Sequence, residues 1–536
     1  MKAVLYYRVG DRAMTTDRSN DYLDVNVSET ADRKTVSIET HADITLDRVC
    51  EEGVFTVGAN DRFLLNGYQS WTDTREFTLG ETEKDVTRLP RWLVNKFAFD
   101  RYGDATFYPY SKKKLHGYDV FYSRGEHPGF FFNRNARNNY LVFEVERSGG
   151  KVSLLSDYEA LSLRVGDKLT VLDYSFAPDF ESGLRLFGEA FPRREIPKIF
   201  GYMSWYNHYQ NISEWQILRD LDALDDRFDL FQIDDGYETR VGDWMDVDPK
   251  KFPNGLAPIV EKIHAKGLKA GIWLAPFVAE TSSRLWHKHR KWFRRGADGR
   301  PVRCGSNWSG FYALDIENPE VRAYITDCLR AYADMGFDFF KLDFLYAVSL
   351  PRYEGKTRAM VAEKGYALLR EALGDRLILG CGATPFNCER KFDYLRVGPD
   401  VSLKFDDVWF MRMMHRERIS TKTTLQNTVY RSFFNGHLFG NDPDVFILRR
   451  ENVGLSARQK EALLALNSIF GSVLMTSDNV AGYSEKDRAL LSKALERFRA
   501  EKTVEYEGEK DKIRITYRRG EATETLVYHT GKGELQ

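Results

Sequence analysis

The sequence predicts an α/β chain in three parts: an N-terminal antiparallel β-sandwich, a central (β/α)8 TIM barrel and a small C-terminal β-sheet domain. Three observations carry this reading. Apolar runs alternate with amphipathic helical stretches through the middle of the chain, alternating period-two runs flank them on both sides, and the ends of the eight apolar runs are polar out of proportion. A length of 536 residues suits three or four folding units, or fewer when one is a barrel.

In the first part, runs such as KTVSIETHADITL, GVFTVGA, YLVFEVERSGGKVSLLS and KLTVLDYSFA are broken by Gly, Asn and Asp turns. Alternation at that spacing argues an antiparallel sandwich over residues 1–195. GLRLFGEAFPRR, residues 183–194, reads as a helix ended by proline and leading into the next unit.

Strand candidates then follow at 199–205, 228–235, 268–276, 337–344, 376–381, 393–400, 437–442 and 471–478. Between them lie helical patterns such as NISEWQILRDLDALDD, GLAPIVEKIHAKG, ENPEVRAYITDCLRAYADMG and RAMVAEKGYALLREALG. Continuous apolar strands alternating with helices imply a parallel sheet covered by helices, and eight units close a barrel over residues 196–498. An open doubly wound sheet is the alternative, but no Gly-x-Gly-x-x-Gly turn follows the first strand. Alternation returns in TVEYEGEKDKIRITYRRGEATETLVYHT, giving the C-terminal β-domain, 499–536.

The formal charge of −1 favours neither nucleic acid nor an anionic membrane as partner. Five cysteines without a CxxC pair argue against a disulfide framework or a structural zinc site. The N-terminus lacks the apolar core of a signal peptide and no run of 18 apolar residues occurs, so a cytoplasmic location is expected. Aromatic residues make up 14% of the chain, and such rings either fill cores or stack on sugar faces.

In barrels of this kind the active site is built at the C-terminal ends of the strands. Those ends carry Ser204 and Trp205; Asp234 and Asp235; Trp273; Lys341 and Asp343; Cys381; Arg396 and Asp400; Asn441 and Asp442; and Ser477 and Asp478. Any one acid could serve as a turn former or helix cap. Together they describe a pocket for a polyhydroxylated ligand, with acids for its hydroxyls and indoles for its ring face. Glycoside hydrolysis needs two carboxyl groups flanking the bond. Asp343 suits the nucleophile, because Lys341 lies two residues back on the same face and its charge is expected to keep the carboxylate ionised. Asp400, with Arg396 behind it, is the natural partner. The blander readings are a structural Lys–Asp ion pair and a plain GPD turn.

YMSWYNHY at the first strand, LFQIDDGYETRVGDWMDVDPKKFPNGLAPIVEKIHAKGLKAGIWLAP across the second and third, FFKLDF at the fourth and RVGPDV at the sixth resemble the retaining α-galactosidases of glycoside hydrolase family 36. The resemblance covers roughly residues 60 to 480 and implies the same order of sandwich, barrel and C-terminal sheet. It makes Asp343 the nucleophile and Asp400 the acid/base. It also implies Asp234 and Asp235 on the 4- and 6-hydroxyls, Trp273 along the sugar face and Lys341 on ring hydroxyls. Arg396 and Cys381 would then lie near the 2-hydroxyl, and Trp71, from LLNGYQSWTD, over the site. Trp205 also falls where a sugar would lie. The segment GCGATPFNCERKFDYLRVGPD departs from the family's pattern after the fifth strand, and NDPDVF is similar to the raffinose-synthase branch.

The function expected is therefore that of a retaining, exo-acting α-galactosidase working on a small-molecule or oligosaccharide α-galactoside, without metal or cofactor. Homo-oligomerisation is compatible with this reading. Alternatives are an α-N-acetylgalactosaminidase, a raffinose-synthase-like α-galactosyl transferase and, least favoured, a non-catalytic sugar-binding protein. A metal-dependent barrel hydrolase would need an H-x-H or H-E-x-x-H set at the strand ends; no H-E-x-x-H occurs, and the H-x-H formed by His287 and His289 lies on the connection after the third strand candidate, away from those ends. His208 is either a leaving-group contact or a loop histidine. Trp308 and Phe311, beside Cys304, either line an aglycone subsite or pack over the barrel.

Overall fold

The computed structural model describes residues 2–406 and 413–536. Residues 3–177 form two antiparallel sheets of six and seven strands. Strict alternation decides which side chains turn inward: Arg33–Thr40 buries every second residue. Leu5, Leu46 and Leu154 of one sheet and Val36, Ile38 and Phe121 of the other meet in a single apolar cluster, so the two sheets face each other across one core.

The helix after these sheets runs Phe180–Ala190, earlier than the pattern suggested. Asp179 caps it by accepting from the Ser182 amide at 2.8 Å, and Pro192 cannot continue it.

Eight parallel strands follow: β1 Ile199–Met203, β2 Leu230–Ile233, β3 Lys269–Leu274, β4 Phe339–Leu342, β5 Leu377–Gly380, β6 Tyr394–Arg396, β7 in two pieces, Gly440–Asp442 and Val445–Phe446, and β8 Val473–Thr476. Each falls within one of the eight apolar runs of the sequence except the second piece of β7, which lies beyond the seventh run, 437–442. The break in β7 lets the ring close. Its first piece pairs with β6, Arg396 beside Asp442, and its second with β8, Val445 beside Met475. β8 in turn pairs with β1. Four of the helices outside the ring start where a capping side chain precedes them: Ser213, Asn318, Thr357 and Ser420 each accept from an amide of the first turn, whereas Ala257–Ala265 begins without one. Ser456 and Ser484 form full capping boxes.

Residues 503–535 form a four-stranded antiparallel sheet. Its Tyr506, Ile513, Ile515 and Tyr528 join the barrel's own core cluster. The N-terminal sheets are fastened to the barrel by Arg431. This buried guanidinium donates to Asn66 Oδ1 (2.9 Å) and to the carbonyls of Gly67 (3.1 Å), Gln69 (3.1 Å), Ser70 (2.7 Å) and Val397 (2.8 Å). Replacing it by Met would leave those buried acceptors unpaired. We expect a loss of about 3 kcal/mol in stability, measured by urea unfolding. Among the described residues no helix is long and apolar enough to cross a membrane.

Candidate active site

The site is built where strands leave the ring at their C-terminal ends. Because side chains alternate along a strand, Lys341 and Asp343 share a face of β4, and the register sets Lys341 beside Trp273 of β3. Trp273 is almost wholly buried. Its indole Nε1 donates to Asp343 Oδ2 at 3.0 Å, and the Phe344 amide donates to Oδ1 at 2.8 Å. Trp273 therefore grips the candidate nucleophile in addition to walling the pocket.

Lys341 does not pair with Asp343. Its Nζ lies 2.9 Å from Asp234 Oδ2, which also accepts from Gln232 Nε2 at 2.7 Å. Burial opposes the ammonium charge, but Asp234, with Cys381 and Asp343 beyond it, holds Lys341 above the ordinary lysine range. Lys341 thus acts on Asp343 through its charge and not through a direct ion pair. Burial pushes the Asp343 carboxyl above its ordinary range; Lys341, Trp273 and the Phe344 amide pull against that push, and Asp400 adds to it.

Replacing Trp273 by Phe removes one hydrogen bond to the carboxylate and raises its proton affinity further. The acidic limb of the activity profile should move to higher pH with a loss of about tenfold in kcat, read from a pH–rate series.

Asp400 follows β6 and is partly open, its side chain 36% exposed. Arg396 Nη1 donates to its Oδ1 at 3.0 Å. The same fully buried guanidinium reaches Asp442 Oδ2 (2.7 Å) and Asp444 Oδ1 (2.9 Å), so three carboxylates share one cation. Arg396 is thereby committed to holding acids in place.

Asp235 accepts from Trp308 Nε1 (3.0 Å) and from Gln210 Nε2 (3.0 Å), and hydrogen-bonds the carboxyl of Glu238. Burial raises both acids, and Asp235 raises Glu238 further, well above the ordinary range.

Cys381 is buried just past β5, with its thiol held well above the ordinary range by burial and then by the charge of Asp343, which leaves it inert. Trp205 begins a short helix after β1, half-buried against Tyr209, their ring centroids 5.2 Å apart. Trp71 reaches the barrel from the N-terminal loop held by Arg431. It packs edge-on to Phe344 and Tyr346, and its ring lies 3.0 Å from where a Cβ on Gly382 would sit. Gly382 also has φ +68°, so only glycine allows this approach.

Asp478 is structural: it accepts from the amides of Leu448 (2.6 Å) and Arg449 (2.9 Å) and pairs with Arg449 Nη1 at 2.8 Å. Ser477 Oγ accepts from the Tyr206 amide. Asn441 donates to the Arg431 carbonyl at 3.0 Å. His208 bonds Asp220 at 2.7 Å, together with Tyr202, and is a framework residue.

The residues that sequence reasoning did not assign to the site are Glu238, Gln210, Tyr206 and Asp444. Trp308, whose place the sequence left undecided, sits between Trp273 and Phe344 with centroids at 6.1 and 5.2 Å.

A closed parallel barrel whose strand ends gather two carboxyl candidates among buried acids and indoles is the architecture of a barrel glycoside hydrolase. Residues 189–370 match the family model described as Melibiase. The chain is similar to the α-galactosidases of glycoside hydrolase family 36. An A type blood alpha-D-galactosamine galactosaminidase from Flavonifractor plautii is 35% identical over 125 residues, which is 22% of this chain and 12% of that protein. TtGalA, an alpha-galactosidase from Thermus thermophilus solved with p-nitrophenyl alpha-D-galactopyranoside, superposes with a TM-score of 0.73 at 26% identity. That match covers 94% of this chain and 98% of the other. The GH36 alpha-galactosidase AgaA from Geobacillus stearothermophilus shares the fold, with a TM-score of 0.59 at 13% identity over 94% of this chain and 72% of its own.

Proposed function

We propose that this chain is a retaining, exo-acting α-galactosidase that hydrolyses terminal α-galactosyl residues, with its domains at 1–195, 196–498 and 499–536. The observation that carries the reading is the contrast between Asp343 and Asp400. One is gripped by Trp273 and a backbone amide beside a buried lysine. The other is partly open and held by a single arginine N–H. Supporting it is the likeness over nearly the whole chain to a solved α-galactosidase that binds an aryl α-galactoside.

In this mechanism Asp343 attacks the anomeric carbon as the bond to the leaving oxygen breaks, and Asp400 gives that oxygen its proton. A galactosyl ester on Asp343 results. Asp400, now a carboxylate, takes a proton from water as that water attacks the same carbon from the face the leaving group vacated. The Asp343–sugar bond breaks and the product keeps the α configuration. Asp234 and Asp235 hold the 4- and 6-hydroxyls, and Trp205, Trp308 and Trp71 flank the sugar. Asp343 must be ionised to attack, and its proton affinity lies above the ordinary carboxylate range. Activity should therefore fall on the acid side at a higher pH than an ordinary carboxylate would set.

The test is a screen of aryl glycosides with the product anomer followed by NMR. Rapid release of α-galactose from aryl α-galactoside is expected. β-Galactose as first product, or preference for another aryl glycoside, overturns the proposal.

A further inference from the structure

We propose that Asp444, the buried acid in the break of β7, is a positioning residue that fixes where Asp400 sits. The inference deepens the assignment of Asp400 as acid/base and rests on it.

Asp444 is completely buried and takes a left-handed backbone, φ +71°, which a non-glycine residue adopts only when its surroundings demand it. The conformation follows from the fold. Pro443 and Asp444 fall where β7 lets go of β6 and before it takes up β8, and the Asp444 amide turns back to Asp442 Oδ1 at 2.9 Å. The side chain is thus delivered to the segment that carries Asp400. Its Oδ2 accepts from the amide of Val401, the residue next to Asp400, at 2.8 Å, and also from the Tyr206 hydroxyl. Its Oδ1 lies 2.9 Å from Arg396 Nη2, on the same guanidinium whose Nη1 holds Asp400. Two routes, one through the backbone and one through Arg396, therefore link Asp444 to Asp400, although Asp444 need not touch the substrate.

The charged and titratable groups around this cluster are Arg396, Asp442, Asp400 and Tyr206, with Asp343, Lys341, Cys381 and Tyr209 next to them. Burial pushes Asp444 up to about 6, with Asp400 and Asp442 adding to the effect while Arg396 and the Tyr206 hydroxyl oppose it. Neutralising Asp444 leaves more of the guanidinium charge to the Asp400 carboxylate. The free enzyme needs Asp400 protonated, so the basic limb of kcat/KM should move to lower pH.

The experiment compares wild type, Asp444→Asn and Tyr206→Phe on a series of aryl α-galactosides of graded leaving-group pKa, across pH. Asp444→Asn should show the basic limb displaced downward by about one pH unit. Its loss should be about 10-fold on good leaving groups and about 100-fold or more on poor ones. Inhibition by the galactose mimic 1-deoxygalactonojirimycin should change little. Tyr206→Phe, which keeps the carboxylate, should give a smaller change of the same kind and serves if Asp444→Asn does not fold. A uniform loss across leaving groups with an unmoved basic limb in the folded variants overturns the role of Asp444. That result is distinct from failure of the acid/base reading, which would appear as an Asp400→Ala variant that is equally impaired on every leaving group.

Discussion

Replacing Asp343 by Asn is expected to lower kcat on aryl α-galactoside by about 10⁴-fold or more while leaving the fold and the binding of substrate nearly intact. An amide cannot form the ester, yet it fills the same space and can still accept from Trp273 Nε1. Structural roles for Asp343 make a different prediction. A framework acid would show its loss in thermal stability, with activity falling in proportion to the folded fraction. The variant that removes the side chain, Asp343→Gly, separates the two further. With azide supplied, the small anion can enter where the carboxylate stood, and the product should be the β-galactosyl azide. A variant with wild-type turnover on the aryl substrate excludes Asp343 as nucleophile.

The second large effect belongs to Asp400→Ala. Without a proton donor, substrates with poor leaving groups should lose about 10³-fold or more, whereas a dinitrophenyl α-galactoside, which needs little protonation, should lose far less. Its basic limb should disappear, because the group that titrates there is gone. Azide should restore turnover and yield α-galactosyl azide, the opposite anomer from that expected for Asp343→Gly. Equal impairment on all leaving groups without rescue would remove Asp400 from the acid/base role. Because Asp400 is partly open and Arg396 is held by two other acids, the variant should retain its stability.

Much of the barrel was legible because parallel strands buried on both sides read as unbroken apolar runs, and each of the eight runs holds a strand of the ring. The candidate acids were legible for the same reason: a polar residue closing such a run can only lie at the mouth of the ring. The sequence could not show the break in β7. Pro443 hints at an interruption, but the left-handed turn at Asp444 follows from which neighbour strand each half pairs with. Nor could it show partners chosen across the fold. Lys341 and Asp343 are two residues apart, and spacing alone pairs them, yet Lys341 reaches Asp234 on β2 while the indole of Trp273 takes Asp343. Trp308 illustrates the same limit. It lies on the long connection after β3, and its indole hydrogen bond to Asp235 together with its packing against Trp273 and Phe344 brings it to the site. Arg396 was placed near a substrate hydroxyl by resemblance, and its guanidinium is engaged by Asp400, Asp442 and Asp444.

Glu238 has no sequence signal of its own. An acid in a turn is ordinarily a solvated residue, and here it is buried against Asp235, with burial and that neighbour holding its carboxyl well above the ordinary range.

The central claim is the galactosyl ester on Asp343. Its most direct test is to incubate the protein with a galactosyl fluoride bearing a second, ring fluorine that slows hydrolysis of the intermediate, then to digest it and locate the added mass. One labelled peptide is expected, with the sugar on Asp343, and inactivation should compete with substrate. A label on another carboxyl group, or turnover of α-galactosides with no ester trapped and β-galactose released, would contradict it.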